Sequence, residues 1–366
     1  MGNQASKVIE KTKEKKEKRK VRRRSTISVS TQSQASLHFT PASPTRANYD
    51  WLETSQPPSM SSSVSTSNAP TVSSTASQQQ RRRSVSDFFA KRKQSLKTTI
   101  SQDEYKENDR LQRLHYLLKS ARKGNFSAPI QVQGDFTIMD LGCGGGIWSL
   151  EMAAQYPTAR VLAVDMKAPQ TLHYSPKNLE CKVMDITEPW QGIPDNSIDY
   201  IFQRNMGQVI KTDKWECIFS EMYRTLKPGG LIELFEPDLY HHNPGPVQQA
   251  FDSFLKTQCD DGGVDFALAE AMPERIEKAG FSELSTRLLD LPVGEWPSDP
   301  ELKQFGFINK EVQRALLKNM KTFYISHWGI SGEDYDLASQ EVMEEFEEYH
   351  GFSRFTSWIA TKPTTA

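Results

Sequence analysis

The chain has 366 residues, and its 45 lysine and arginine side chains nearly balance 46 aspartate and glutamate side chains, for a formal net charge of −1. This balance conceals two opposite halves, because residues 1–100 carry a net charge of +13 and residues 101–366 carry −14. The four cysteines form no C-x-x-C pair, no apolar run reaches the length of a membrane-spanning helix, and no signal peptide opens the chain, so we expect an intracellular protein without a zinc site or disulfides.

The first hundred residues are rich in serine, threonine, glutamine and proline and show no sustained apolar period. Such a segment cannot bury enough apolar surface to offset the entropy lost on ordering. We therefore predict a disordered basic arm over residues 1–102. Residues 103–366 are long enough to build one closed core, so we predict one folded domain there.

The arm opens with M-G-N-Q-A-S, which fits the pattern for myristoylation on Gly2. Residues 7–24 then carry a net charge of +8, and a basic cluster is the second signal that a single acyl chain needs for stable membrane binding. The same cluster also fits a nuclear import signal or a solvated charge run. The sequence thus predicts the cytoplasm or the cytoplasmic face of an anionic membrane, with the nucleus as the alternative.

The folded half begins with leucines at helical spacing between residues 111 and 118, which predict a helix ahead of the first strand. Residues 138–148 then indicate a strand, a tight turn and a helix, with Asp140 followed by glycines at 142, 144 and 146. A glycine-lined turn at the end of a parallel strand is where α/β sheets bind nucleoside ligands. The dinucleotide pattern G-x-G-x-x-G fails because Ile147 holds the sixth position, which disfavours a nicotinamide-dependent oxidoreductase.

The next two predicted strands each end in an acidic residue. Residues 161–164 run into Asp165, and residues 181–184 run into Asp185. A carboxylate that closes the second strand can accept hydrogen bonds from both ribose hydroxyls.

A fourth strand over residues 198–202 ends in the polar triplet that begins at Gln203. An apolar stripe between Trp215 and Leu226 predicts a helix that stops at the turn L-K-P-G-G, and a fifth strand follows over residues 231–236. The remainder predicts helices near residues 247–258, 267–279, 301–321 and 335–349, with strands near residues 285–291 and 354–361.

The D-x-G-x-G-x-G loop, the acids at the strand ends and the L-K-P-G-G turn together resemble the class I methyltransferases that use S-adenosylmethionine. Within that class the chain looks most similar to the fungal LaeA-like methyltransferases. The features that carry this narrower resemblance are residues 108–111, residues 124–130, the G-I-W of residues 146–148 and the pair Arg204-Asn205.

The resemblance implies an α/β fold with a Rossmann-like seven-stranded methyltransferase sheet and a helical lid, and S-adenosyl-L-methionine as cofactor. It implies that Asp140 binds the methionine ammonium group, that Asp165 binds the ribose, and that Asp185 meets the adenine amino group. The full predicted cofactor set is Asp140, Gly142, Cys143, Gly144, Gly146, Asp165, Met166, Asp185, Ile186 and Gln203.

Methyl transfer needs a general base only if the acceptor keeps a proton at neutral pH. Weak candidates for that base are Glu236, His241 and His242, although a tandem histidine in a Pro-Gly loop is also typical of a solvated turn. The last helix pair is expected to form the lid over the acceptor, where an aromatic set either lines the pocket or simply packs in the core: Phe323, Tyr324, His327 and Trp328.

Two functions remain open from the sequence. The first is a methyltransferase acting on a small-molecule acceptor, and the second is a methyltransferase-like regulator of secondary metabolism or development that acts through protein partners. Neither calls for a metal ion or for a nucleic-acid site in the folded domain.

Overall fold

The computed structural model describes residue 10 and residues 102–169 and 176–364. Apart from residue 10, the predicted arm as far as residue 101 lies outside the described residues, and so does its lipidation signal at Gly2. The predicted disorder of this arm therefore stays a prediction. No helix in the described part of the chain is both long and apolar enough to cross a membrane.

A seven-stranded sheet forms the centre of the folded domain, in the strand order β3-β2-β1-β4-β5-β7-β6. Strands β1 to β5 are parallel, and β7 lies antiparallel between β5 and β6. The strands are β1 (Thr137–Leu141), β2 (Arg160–Asp165), β3 (Leu179–Val183), β4 (Ile198–Arg204), β5 (Leu226–Pro237), β6 (Ser282–Pro292) and β7 (Phe352–Thr361). The predicted Rossmann-like, seven-stranded α/β sheet is confirmed.

The strand order reverses between β1 and β4, and ligands of open α/β sheets bind outside the carboxyl ends of the strands at such a point. The described helices are α1 (Gln102–Arg122), α2 (Ile147–Gln155), α3 (Trp215–Thr225), α4 (Pro246–Gly262), α5 (Leu268–Lys278), α6 (Pro300–Trp328) and α7 (Gly332–Glu348). Each predicted helix of the folded domain has its counterpart here. The first helix begins nine residues before the predicted leucine stripe and the sixth ends seven residues beyond its predicted end, while the other bounds differ by a few residues.

The two faces of the sheet carry separate apolar clusters, because successive side chains of a strand point to opposite faces. On one face Met139, Leu141 and Ile201 pack with residues of α3 and α5. On the other face Ile138 and Phe202 pack with residues of α1 and α2. A third cluster joins α4, α6 and α7, which follow β5 in the chain.

The segment between α1 and β1 is fastened to the middle of the sheet by one buried carboxylate, Glu233 of β5. This side chain accepts hydrogen bonds from the backbone N–H groups of Ser127 and Ala128, at 2.8 and 2.7 Å. It also forms a buried ion pair with Arg122, whose guanidinium lies 4.1 Å from the ring centroid of Phe235. Further donors are the hydroxyl groups of Tyr200 and Ser357.

Two sequence predictions of strand bounds need correction. Strand β3 ends at Val183 rather than Met184, because Val183 is the last residue that pairs with β2, opposite Asp165. The L-K-P-G-G segment is also not a free turn, since β5 already begins at Leu226, paired with Ile198. The register shifts after that pair, and the positive φ of Gly229 lets the strand pass the irregularity.

Candidate active site

The glycine loop between β1 and α2 curves across the end of β2. The backbone N–H groups of Gly142 and Cys143 both donate to the carbonyl oxygen of Val164, at 2.8 and 3.0 Å. Gly142 has a φ of 75°, and a Cβ atom there would lie 2.4 Å from the Sδ atom of Met206. Gly144 is exposed, so a ligand can approach its backbone closely.

Gly146 and Cys143 of the same loop have structural roles. Gly146 adopts a left-handed conformation at the start of α2, with a φ of 75°. Cys143 is half-buried, and burial raises the pKa of its thiol, so this cysteine is a small wall residue rather than a nucleophile.

Asp165 ends β2 directly below the glycine loop and is 7% exposed. Its Oδ2 accepts a hydrogen bond from the Gly144 N–H group at 3.0 Å, and its Oδ1 accepts one from the Lys167 N–H group at 3.2 Å. Carboxylate oxygens accept more than one hydrogen bond, so this orientation still allows two vicinal hydroxyl groups to bind. Met166, beside it, is 40% exposed.

Asp140 is buried near the end of β1, where Ser149 of α2 donates a hydrogen bond to its Oδ2 at 2.5 Å. Burial raises the pKa of Asp140 to about 6, while the Ser149 hydrogen bond and the nearby charge of Arg204 oppose that increase. A cation that enters the site would stabilise the charged form of this buried carboxyl group.

Asp185 and Ile186 follow β3 but face different surroundings. Asp185 is exposed, and its Oδ1 accepts hydrogen bonds from the N–H and hydroxyl groups of Thr187 at 2.9 and 2.7 Å. Ile186 is 4% exposed and packs in the apolar cluster that also contains Trp190. Its predicted contact with an adenine ring stays a prediction, whereas its role in the core is visible.

Gln203 and Glu236 lie on the other face of the sheet, at the ends of β4 and β5. Glu236 accepts hydrogen bonds from the N–H groups of Met206 and Gly207, at 3.0 and 2.9 Å, and so holds the loop that follows β4. Burial raises the pKa of Glu236 to about 7. Because both carboxylate oxygens serve this loop, the geometry favours a structural role over that of a general base.

The carboxamide of Gln203 is fully buried beside Glu236, and neither its oxygen nor its nitrogen makes a hydrogen bond of ordinary geometry with the described residues. Buried polar atoms are nearly always paired in native proteins. With Glu236 as its near neighbour, this amide at the carboxyl edge of the sheet has hydrogen-bonding capacity left for a polar ligand.

A buried network that the sequence analysis missed joins α1, α2 and β4. His115 of α1 lies between the Oε2 atom of Glu151 and the Nη2 atom of Arg204, each 3.1 Å from one ring nitrogen. Arginine has only donors, so Nδ1 of His115 accepts and its Nε2–H group donates to Glu151. Burial lowers the pKa of His115 to about 4, which agrees with a neutral ring. Helical spacing gave no signal for this contact, because each partner looked like an ordinary surface residue.

The loop after β5 holds the two candidate histidines in different ways. The Nε2 atom of His242 lies 2.7 Å from Oδ2 of Asp238, and its ring stacks on Phe352 at a centroid distance of 4.7 Å. The Nδ1 atom of His241 accepts from the side chain of Gln248 at 3.2 Å, and burial lowers the pKa of His241 to about 4. The tandem histidine is thus packed, and the alternative of a solvated turn is wrong.

The aromatic residues near the end of α6 pack against α4 and α7. Phe323 and Tyr324 are buried, and the ring of Trp328 stacks on Phe254 at a centroid distance of 4.9 Å. His327 lies 4.6 Å from the ring centroid of Phe323. Of the two alternatives, this placement favours core packing over the lining of an acceptor pocket.

Comparison with known proteins agrees with this geometry. Residues 138–230 match the model of a family described as a methyltransferase domain. The chain is 28% identical over 273 residues to methyltransferase pytC of Aspergillus terreus, which covers 70% of this chain and 81% of that protein. It is 27% identical over 274 residues to the secondary metabolism regulator LAE1 of Cochliobolus heterostrophus, which covers 70% of this chain and 87% of that protein.

Among solved structures, the chain is similar to phosphoethanolamine N-methyltransferase 2 of Haemonchus contortus, in complex with phosphomonomethylethanolamine and S-adenosylhomocysteine. The sequence identity is 20% and the TM-score is 0.44. The match covers 76% of this chain and spans 60% of the length of that one.

Proposed function

We propose that this chain, a class I methyltransferase that uses S-adenosylmethionine and resembles the fungal LaeA-like methyltransferases, transfers the methyl group to a small-molecule acceptor. The acceptor binds beside the loop that follows β5, under helices α4, α6 and α7. The observation that carries the proposal is the convergence of the glycine loop, Asp140 and Asp165 at one edge of the sheet.

Each residue at this edge has a proposed part in holding the cofactor. Asp165 binds the ribose hydroxyls, the glycine loop allows close approach of its backbone, Asp140 binds the ammonium group, and Asp185 binds the adenine amino group. When bound, S-adenosylmethionine supplies an electrophilic methyl carbon on a sulfonium, which departs as a neutral thioether. The work left to the protein is to align the acceptor with that carbon and to exclude water.

For an acceptor that keeps a proton at neutral pH, we propose His242 as the general base. Asp238 holds one nitrogen of the ring at 2.7 Å, and a carboxylate in that place orients an imidazole to take a proton at its other nitrogen. His241 is less suited because its Nδ1 atom already accepts from Gln248, and Glu236 is committed to the loop after β4.

The test uses the purified full chain in two steps. Calorimetry with S-adenosylmethionine against NAD first measures which cofactor binds, and we expect only the former to do so. Release of S-adenosylhomocysteine over fractionated metabolite extracts then identifies an acceptor. Binding of NAD with no binding of S-adenosylmethionine would refute the proposal at its first step.

The role of His242 has a separate test once an acceptor is known. We expect His242→Asn to lower turnover of an acceptor that carries a proton and to leave the dissociation constant of S-adenosylhomocysteine unchanged. Gln313→Ala changes a neighbour of the other histidine, His241, and serves as the control. Equal turnover by the His242 variant and the wild type contradicts a base at this position.

A second candidate function is regulation through protein partners, because several relatives at 26–28% identity are named secondary metabolism regulators. This alternative predicts tight binding of S-adenosylmethionine without product release over any extract. Affinity capture with the full chain would then recover the same protein in repeated preparations, and the capture would depend on folded residues 103–366.

We propose further that the basic arm brings the enzyme to an anionic membrane surface, with acylated Gly2 as the second anchor. The support is the net charge of +8 within residues 7–24, since each basic residue near such a surface contributes about 1 kcal/mol. Cell fractionation of the Gly2→Ala variant tests the lipid, and an unchanged membrane fraction contradicts it. Accumulation of the wild type in nuclei favours the import signal instead.

A further inference from the structure

Two opposite charges lie close together beneath α1 and α2 without forming an ion pair. In the pairing of β1 with β4, Asp140 stands opposite Phe202, and Arg204 follows Phe202 by two residues. Side chains two apart on a strand share a face, so Asp140 and Arg204 lie on the same face of the sheet. Within residues 102–169 and 176–364, no nitrogen–oxygen contact of 4.0 Å or less joins these two side chains.

Among the described residues, the side chains of Asp140 and Arg204 form hydrogen bonds only with neutral partners. The hydrogen bond to the side chain of Asp140 comes from the hydroxyl group of Ser149. Of the five N–H donors of Arg204, one has an acceptor among the described residues, and that acceptor is Nδ1 of His115. Burial lowers the pKa of Arg204 to about 10, with Asp140 opposing the decrease, so the guanidinium remains a cation. A buried charge that lacks a charged partner is costly for the folded protein.

The position of Arg204 is fixed from the side of α1. The neutral ring of His115 accepts from the guanidinium and donates to Glu151, and Lys119 donates to the same Glu151 oxygen at 2.8 Å. The other charged groups near the guanidinium are Arg122, which repels it, and Glu236, which attracts it from the opposite face. An anion that enters on the side of the glycine loop would therefore meet a cation that is already oriented.

We propose that Arg204 binds the carboxylate of the amino-acid end of the cofactor, while Asp140 binds the ammonium group of the same end. A zwitterion matches two adjacent, opposite charges that do not contact each other, because it satisfies both at once and adds no net charge to the site. The inference rests on the proposed function and extends it to the residue that recognises the carboxylate.

The test compares two ligands by calorimetry with the full chain. S-adenosylhomocysteine carries the carboxylate, and its decarboxylated analogue keeps the adenosine, the thioether and the ammonium group but lacks the carboxylate. We expect Arg204→Met to weaken binding of S-adenosylhomocysteine about 30-fold, since a hydrogen bond to a charged group is worth about 2 kcal/mol. Binding of the analogue should stay within about twofold of wild type or become tighter. The analogue carries only the ammonium group, and Arg204→Met removes the guanidinium charge that repels it.

Two further variants control the comparison. Arg204→Lys keeps the charge and should lie between Met and wild type for S-adenosylhomocysteine, because a lysine cannot make the bidentate contact. Arg160→Met removes an exposed arginine that pairs with Glu180 at the start of β2, and it should leave both affinities unchanged. If Arg204→Met fails to fold, the lysine variant and the ligand pair on the wild type still decide the question.

The outcomes are distinct. An equal loss of affinity for both ligands, or no loss for either, overturns the proposal, because Arg204 would then act on the fold alone or not at all. Equal affinity of the wild-type protein for the analogue and for S-adenosylhomocysteine overturns it too. If the wild type binds neither ligand, the proposed function itself fails. A loss confined to the ligand with the carboxylate supports the assignment.

Discussion

Glu233 in the middle of β5 and Asp140 near the end of β1 are both buried carboxylates of one sheet, yet their surroundings are opposite. Glu233 is surrounded by donors from four parts of the chain and pairs with Arg122. Asp140 accepts one hydrogen bond, from Ser149, and the nearby cation Arg204 does not contact it.

The difference separates stability from binding. A buried carboxylate whose oxygens are all occupied has nothing left for a ligand, so its effect is on folding. A buried carboxylate with spare acceptor capacity at a sheet edge carries a desolvation cost that a cationic ligand relieves. Five experiments can break or sharpen this contrast.

The largest effect is expected on the side of Glu233. Its replacement by alanine leaves Arg122 buried without a carboxylate partner and leaves two backbone N–H groups buried without an acceptor. We expect a loss of about 3–5 kcal/mol in the free energy of unfolding. Guanidinium unfolding measures it. The matched control is Glu180→Ala, which breaks an exposed pair with Arg160 and should cost less than about 1 kcal/mol. Equal losses for the two variants would contradict the contrast.

Asp165→Ala should act on binding rather than folding. It removes the acceptor for the ribose hydroxyls, so we expect affinity for S-adenosylhomocysteine to fall about 10- to 100-fold in calorimetry. Asp213→Ala, at an exposed position between β4 and α3, is the control. Unchanged affinity of the Asp165 variant would remove the basis of the cofactor assignment.

Asp140 should link binding to pH. Because burial raises its pKa from 3.8 to about 6, the ligand-free site is partly protonated at pH 6, and an incoming ammonium group expels that proton. We expect proton release on binding at pH 6, measured by calorimetry in two buffers of different ionisation enthalpy, and weaker binding as the pH falls below 6. Asp140→Asn should bind without that release.

The raised pKa of Asp140 has the opposite effect on the stability of the ligand-free protein: a lower pH weakens ligand binding but stabilises the fold. A raised carboxyl pKa in the folded state stabilises the fold below the unfolded pKa, and this contribution is lost as the pH rises through about 6. Asp140→Asn should therefore flatten the dependence of the melting temperature on pH in this window. A wild-type curve that matches the variant contradicts a buried, titrating Asp140.

The smallest effect is expected from Ser149→Ala. Loss of the hydroxyl group raises the pKa of Asp140 further, so affinity near pH 6.5 should fall about threefold and recover at pH 8. Ser253→Ala, which removes an exposed hydroxyl group on α4, should change nothing. A loss that is the same at both pH values would point to packing instead.

The sheet and the cofactor edge were predictable because their signals are local. The glycine loop, the acid at the end of β2 and the stripe of α3 each lie within a few consecutive residues, where period and turn chemistry are readable. The Glu233 anchor and the His115–Arg204 contact were not predictable. Glu233 lies 106 and 105 positions from the two N–H groups that it binds, and Arg204 lies 89 positions from His115. Each partner alone resembles a surface residue.

Some residues that were predicted at the site because they follow a strand end have other contacts in the structure. Ile186 follows a strand end and is expected beside the ligand; its side chain packs in the apolar core, and its contact with the adenine ring stays a prediction. Glu236 and His241 are candidates for a base by their position in the sequence, and the structure gives both of them partners within the protein.

The contact between Gly142 and Met206 has a practical consequence for transplanting this loop into another scaffold. With a thioether sulfur 2.4 Å from where a first side-chain carbon would stand, the stretch after β1 and the stretch after β4 are complementary in shape. A graft that moves residues 140–146 alone would bring them against a foreign neighbour. Designers would have to carry residues 205–207 along, or choose a smaller partner at position 206 before varying position 142.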